Sequence, residues 1–181
     1  MITHKGKKID YIEHGEGPAI LFIPGSFSTP SAWSAVQKLM PPNYRFISTS
    51  LCGYGSTEEL RSTDNYGMHN LIDIIETVVA KIGQPVHLVG HSFGGMVALA
   101  CALSDRFEIL SITTFEANPI TLIDACRHRH LFEETIKIKD EFEAAFNAQN
   151  KDAAKIIIDF WGGDGSFASM PSSVQQYCRQ T

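Results

Sequence analysis

The stretch that decides the fold is Pro85-Val86-His87-Leu88-Val89-Gly90-His91-Ser92-Phe93-Gly94-Gly95-Met96-Val97-Ala98-Leu99-Ala100-Cys101-Ala102-Leu103. Pro85 to Val89 reads as a short strand buried on both faces. An almost wholly apolar helix follows, ending near Leu103. Between the two lies Gly90-His91-Ser92-Phe93-Gly94, a G-x-S-x-G turn with Gly95 behind it. A serine at the apex of such a turn is pushed above the sheet edge. Residues two before and two after it pass so close to neighbouring backbone that a side chain would clash, and glycine at 90 and 94 answers that demand.

Outward from this unit, strand-like and helical patterns alternate through the first two-thirds of the chain. Lys8 to Glu13 alternates and ends at the turn His14-Gly15-Glu16-Gly17, and Ala19 to Ile23 is a continuous apolar run closed by Pro24-Gly25. A helix is expected from Pro30 to Met40, stopped by Pro41-Pro42. Tyr44 to Thr49 forms the next strand. Between Tyr66 and Ile82, apolar residues at 68, 71, 72, 75, 78, 79 and 82 make one stripe, with His69, Asp73, Glu76 and Lys81 on the other side. Ile109 to Phe115 is the last strand and ends at Glu116. Strand and helix in this alternation imply an α/β fold with a mostly parallel sheet between helices. After Pro119 the pattern becomes helical, with candidates at Thr121–His130, Phe132–Ala148 and Lys151–Trp161, the last capped by Asn150, and a short helix near Pro171. The expected division is a core over residues 1–119 and a helical segment over 120–181.

Composition narrows the partners. Of 181 residues, 44% are apolar and 19% charged, an ordinary globular balance. The net charge is −5, and the clusters Lys5-Lys7-Lys8 and Arg127-His128-Arg129-His130 are too short for a nucleic-acid footprint. No run is long enough to cross a bilayer, and the polar start does not resemble a signal peptide. Cys52, Cys101, Cys126 and Cys178 lack ligand-like spacing and read as reduced thiols, so the expected setting is the cytoplasm. No nucleotide-binding glycine pattern occurs, and no cofactor or metal is expected.

Residues Lys8 to Pro119 resemble the first half of the α/β-hydrolase fold, and residues from Thr121 onward resemble its helical cap. The elbow at Gly90, His91, Ser92 and Gly94 carries most of the likeness. Leu21-Phe22-Ile23-Pro24-Gly25-Ser26-Phe27 is similar to the loop that supplies the oxyanion hole, with Pro24 in place of a frequent histidine. Ser50-Leu51-Cys52-Gly53-Tyr54-Gly55-Ser56-Thr57 is similar to a D-x-x-G-x-G-x-S loop, with Ser50 where aspartate is usual. The resemblance implies Ser92 as nucleophile, the backbone N–H groups of Phe93 and Ser26 as oxyanion donors, and His91 as a packing residue behind the turn. Ser26 also reads as a plain turn residue. Serine rather than aspartate at 92 points to esters, thioesters, lactones or activated C–C bonds rather than epoxides or haloalkanes.

Glu116 ends the strand where some relatives place the triad acid, and a structural role there is the alternative. The family's histidine lies beyond the cap, so this sequence is expected to end before it and to be weak or inactive alone. His87, His128 and His130 read as core or surface residues. The reading therefore leaves two functions open: a serine hydrolase acting on a small acyl substrate, or a non-enzymatic half-domain that binds a ligand or partner. The strand at 109–115 would leave an apolar sheet edge that invites self-association. Phe132, Phe142, Phe146, Phe160 and Trp161 read as core of the helical segment or as pocket walls.

Overall fold

The computed structural model describes residues 1–125 and 128–181. They form two compact units, Met1–Asn118 and Pro119–Thr181. In the first unit, β1 (Ile2–His4) and β2 (Lys7–Ile9) make an antiparallel hairpin. A five-stranded sheet is built from β3 (Ile12–His14), β4 (Ala19–Ile23), β5 (Arg45–Ser48), β6 (Val86–His91) and β7 (Ile109–Phe115), in the spatial order β3-β5-β4-β6-β7. β3 runs antiparallel to β5, and every other pairing is parallel. The α/β class with a mostly parallel sheet is therefore as the alternation requires. The strand expected over 8–13 is instead divided between β2 and β3, because the chain leaves the hairpin before it joins the large sheet.

The sheet carries apolar residues on both faces. Leu21, Ile23, Ile47, Val86 and Leu88 are fully buried against α2 (His69–Ile82) and α3 (Phe93–Ser104). α2 adds Leu71, Ile72, Ile74, Ile75, Val78, Val79 and Ile82 to this core, and it starts three residues later than the stripe suggests. On the other face Ile20, Phe22 and Phe46 gather around Trp33, whose ring lies 5.3 Å from that of Phe22. Trp33 closes a 3₁₀ turn, Pro30–Trp33, that leads into α1 (Ser34–Leu39), so the single expected helix has a tighter first turn. Among the described residues β7 is paired on one side only, and its Leu110 and Phe115 are half exposed.

Ser50 shows how a substitution in one loop is answered elsewhere. Its hydroxyl donates to the Asp10 carboxylate (2.8 Å), which also accepts the Ser56 N–H (2.7 Å). Thr49 donates to the Asp10 carbonyl, and the Asp10 N–H donates to Thr57 Oγ1. A carboxylate between β2 and β3 thus ties both ends of the loop at 50–57.

The second unit contains α4 (Ile120–Ala125), α5 (Arg129–Asn147), α6 (Ala153–Gly162), α7 (Ser166–Ser169) and α8 (Ser172–Gln180). The helix expected across 121–130 is two helices, since His128 has non-helical backbone angles (φ −104°, ψ 48°). Cys126 and Arg127, with the expectations that fell on them, lie outside the described residues. Asn150 does not cap α6; its side chain accepts the N–H of Asp152, which stands at the cap position. Of the aromatic residues expected as core or pocket wall, Phe132, Phe142 and Phe160 are part-buried. Phe146 and Trp161 are exposed, whereas Thr135, Ala153, Ala154, Phe167 and Cys178 are buried. The Arg179 guanidinium lies 5.2 Å from the Phe167 ring and pairs with Asp152 at 2.7 Å. Among the described residues no helix is long and apolar enough to cross a membrane.

Asp10→Ala removes the shared acceptor of the 50–57 loop and leaves a part-buried hydroxyl and a backbone N–H unpaired. Urea unfolding of this variant is expected to show a loss of about 1–3 kcal/mol.

Candidate active site

β6 ends at His91, and α3 begins at Phe93, which leaves Ser92 alone to reverse the chain. Its backbone sits at φ 51°, ψ −122°, a conformation that a residue with a side chain seldom adopts. Hydrogen bonds on both sides hold it there. The Ser92 N–H donates to the Phe115 carbonyl at 2.8 Å, and the Ser92 carbonyl accepts from Gly95 and Met96 at 2.9 and 3.2 Å.

The space around the turn is as tight as the sequence requires. A Cβ on Gly90 would lie 2.5 Å from the Gly94 carbonyl oxygen, and one on Gly94 would lie 2.8 Å from the Ile23 carbonyl carbon. The loop after β4 comes just as close from the side. A Cβ on Gly25 would lie 3.2 Å from Ser92 Cβ and 3.2 Å from His91 Nδ1. The structure therefore brings Gly25, and Ser26 next to it, against the serine turn. Phe93, the first residue of α3, contributes an N–H that has no intrahelical acceptor, at the positive end of the helix.

Beyond Ser26 the loop turns through Phe27, which has a left-handed backbone (φ 56°). The Phe27 ring meets the Tyr54 ring edge-on, with centroids 5.8 Å apart. Burial pushes the Tyr54 hydroxyl above its ordinary pKa.

His91 differs from its expected place behind the turn. Its side chain is 45% exposed, and Nε2 lies 3.4 Å from Glu116 Oε2. Strand alternation explains this, since His87, Val89 and His91 share one face of β6 and are part-exposed, while Val86, Leu88 and Gly90 are buried. His87 is hydrogen-bonded to Ser111 Oγ at 2.8 Å. Glu116 follows β7 with φ 52°, and its carboxylate is 84% exposed. His91 and Glu116 join Pro24, Gly25, Trp33, Val36 and Phe115 around a cavity of about 530 Å³.

Among the described residues no side chain is hydrogen-bonded to the Ser92 hydroxyl, and no group of three or more His, Cys, Asp or Glu could hold a metal ion. The described thiols offer no alternative nucleophile. Cys101 is fully buried and its pKa is pushed up to about 12, and burial raises those of Cys52 and Cys178 as well. Sequence reasoning missed the contacts of Tyr54 and Asp10 and the pairing of His91 with Glu116. The one available signal was Ser50, a hydroxyl where a carboxylate is usual.

Comparison with known proteins places this geometry. The profile of the alpha/beta hydrolase family matches residues 20–175. Pimeloyl-[acyl-carrier protein] methyl ester esterase of Aeromonas salmonicida (strain A449) is 29% identical over 105 residues, which cover 58% of this chain and 40% of that protein. The chain matches about two-fifths of the length of such curated relatives. The thioesterase domain from the curacin biosynthetic pathway is 29% identical, with a TM-score of 0.56 over 62% of this chain and 43% of that one. An alpha/beta hydrolase from Sphaerobacter thermophilus DSM 20745 shares the fold over 97% of this chain and 63% of that one, with a TM-score of 0.68 at 17% identity. The strand order, the serine turn and a family match over most of the sequence agree: the chain belongs to the alpha/beta hydrolase family.

Proposed function

We propose that this chain carries the nucleophile half of a serine hydrolase that cleaves an ester or thioester through an acyl-enzyme. The observation that supports it most directly is the Ser92 backbone, held at φ 51° and ψ −122° between β6 and α3 with Gly25 pressed against it. A merely connecting turn has no need of a strained serine among crowded glycines. In this reading Ser92 Oγ attacks the acyl carbon, and the C=O bond becomes a C–O⁻ that accepts hydrogen bonds from the Ser26 and Phe93 N–H groups. The alcohol or thiol leaves with a proton, and water then releases the acid.

The named activities of the esterase and thioesterase relatives favour acyl esters and thioesters over the lactones and C–C bonds that serine chemistry also allows. Pro119–Thr181 is proposed as the cap. Glu116 is proposed as the acid that orients a base; its carboxylate lies 3.4 Å from His91 Nε2. Since no described side chain is bonded to the Ser92 hydroxyl, residues 1–181 alone are expected to turn over p-nitrophenyl esters weakly or not at all.

A second reading, a binding half-domain, is favoured by the one-sided pairing of β7. It requires association through that edge. Light scattering separates the two: a dimer or larger assembly supports edge pairing, and a stable monomer rules it out.

The nucleophile is read more sensitively by covalent capture than by turnover. A fluorophosphonate probe is expected to label the native chain, and Ser92→Ala is expected to abolish the label; equal labelling of both would refute the assignment. Gly25→Ala places a methyl 3.2 Å from Ser92 Cβ, and its labelling rate is expected to fall at least about tenfold, as for partial loss of an oxyanion site.

A further inference from the structure

We infer that the cavity beside the serine turn seats an uncharged apolar chain of the substrate and turns away a chain that ends in a carboxylate; this rests on the nucleophile reading above. Gly25 and His91 join the two places. A Cβ on Gly25 would come 3.2 Å from that of Ser92, and Gly25 also lines the cavity, as does His91, the residue before the nucleophile. A chain that starts at the reacting carbon therefore has this space next to it. Its volume of about 530 Å³ falls within the roughly 300–1,000 Å³ common for small-molecule sites.

The sheet topology brings the walls together. Trp33 packs on Phe22 in the core, and Val36 on α1 continues the wall that Trp33 begins. β7 lies next to β6, and its last residue, Phe115, meets Trp33 with ring centroids 6.2 Å apart. Val36 and Phe115 are 42% and 50% exposed although both line a concave surface. An alkyl chain laid on them removes apolar surface from water, which is the driving force for a ligand that offers no polar contact. The charge at the cavity is of one sign. Among the described residues that line it, Glu116 carries the one carboxylate, and no lysine or arginine is present. A second carboxylate brought into this space would lose water and meet a like charge, with no lysine or arginine to answer either.

The test is labelling of the full 181-residue chain by fluorophosphonates whose alkyl chain runs from ethyl to hexyl, and by one of hexyl length that ends in a carboxylate, separating kinact from KI. KI is expected to fall about two- to fourfold with each added methylene while kinact stays level, the response of a chain held by apolar walls alone. The carboxylate-ended probe is expected to bind at least about tenfold more weakly than its uncharged counterpart. Val36→Asp, at a half-exposed helix position, is expected to cut the hexyl-to-ethyl ratio of labelling rates at least about fivefold, with a thermal melt to confirm the fold. If that variant does not fold, Phe115→Ala removes the opposite wall and is expected to lower the same ratio. A KI independent of chain length overturns the proposal, as does equal labelling by the charged and uncharged hexyl probes, or a native ratio in the folded variant. A native chain that takes no label from any probe overturns the nucleophile reading itself, which is a distinct result.

Discussion

The close approach of two backbones at the carboxyl end of the sheet is the constraint on which the site depends. β4 and β6 are parallel neighbours, in register down to Ile23 opposite Gly90, so the loops that follow them leave side by side. A side chain on Gly94 would meet the Ile23 carbonyl, and one on Gly25 would press on Ser92. Because those positions are glycine, the serine turn and the β4 loop can lie against each other. The strained Ser92 conformation is then fixed from three directions: by the Phe115 carbonyl of β7, by the first turn of α3, and by the Gly25 backbone. The serine turn and the loop after β4 are thereby packed against each other.

Support for this arrangement reaches further than the loop itself. A carboxylate at Asp10 stands in for the one that Ser50 lacks, and it clamps the segment that carries Tyr54. The Tyr54 ring in turn meets that of Phe27 edge-on, in the loop after β4.

Local physics made much of this readable from residues alone. Strand β7 falls on the bounds its β-branched run suggests, α2 buries its stripe, and the G-x-S-x-G segment adopts the turn its glycines require. What was illegible was long-range. Nothing local to Ser50 says that Asp10 will meet it, and the pairing of His91 with Glu116 spans 25 positions. The aromatic spacing of α5 and α6 matched a helix face without saying what would cover it, and Phe146 and Trp161 turned out exposed while the small residues Ala153 and Ala154 are buried. Helix amphipathicity reports which residues share a face, and burial depends on what lies opposite.

The Ser92 hydroxyl and the N–H groups of Ser26 and Phe93 are proposed to form one reacting site. A crystal structure of the chain after reaction with a fluorophosphonate tests it most directly. Phosphorus is expected on Ser92 Oγ, with the phosphoryl oxygen about 2.7–3.1 Å from both nitrogens. An adduct on another residue, or one on Ser92 whose oxygen turns away from both donors, would contradict it.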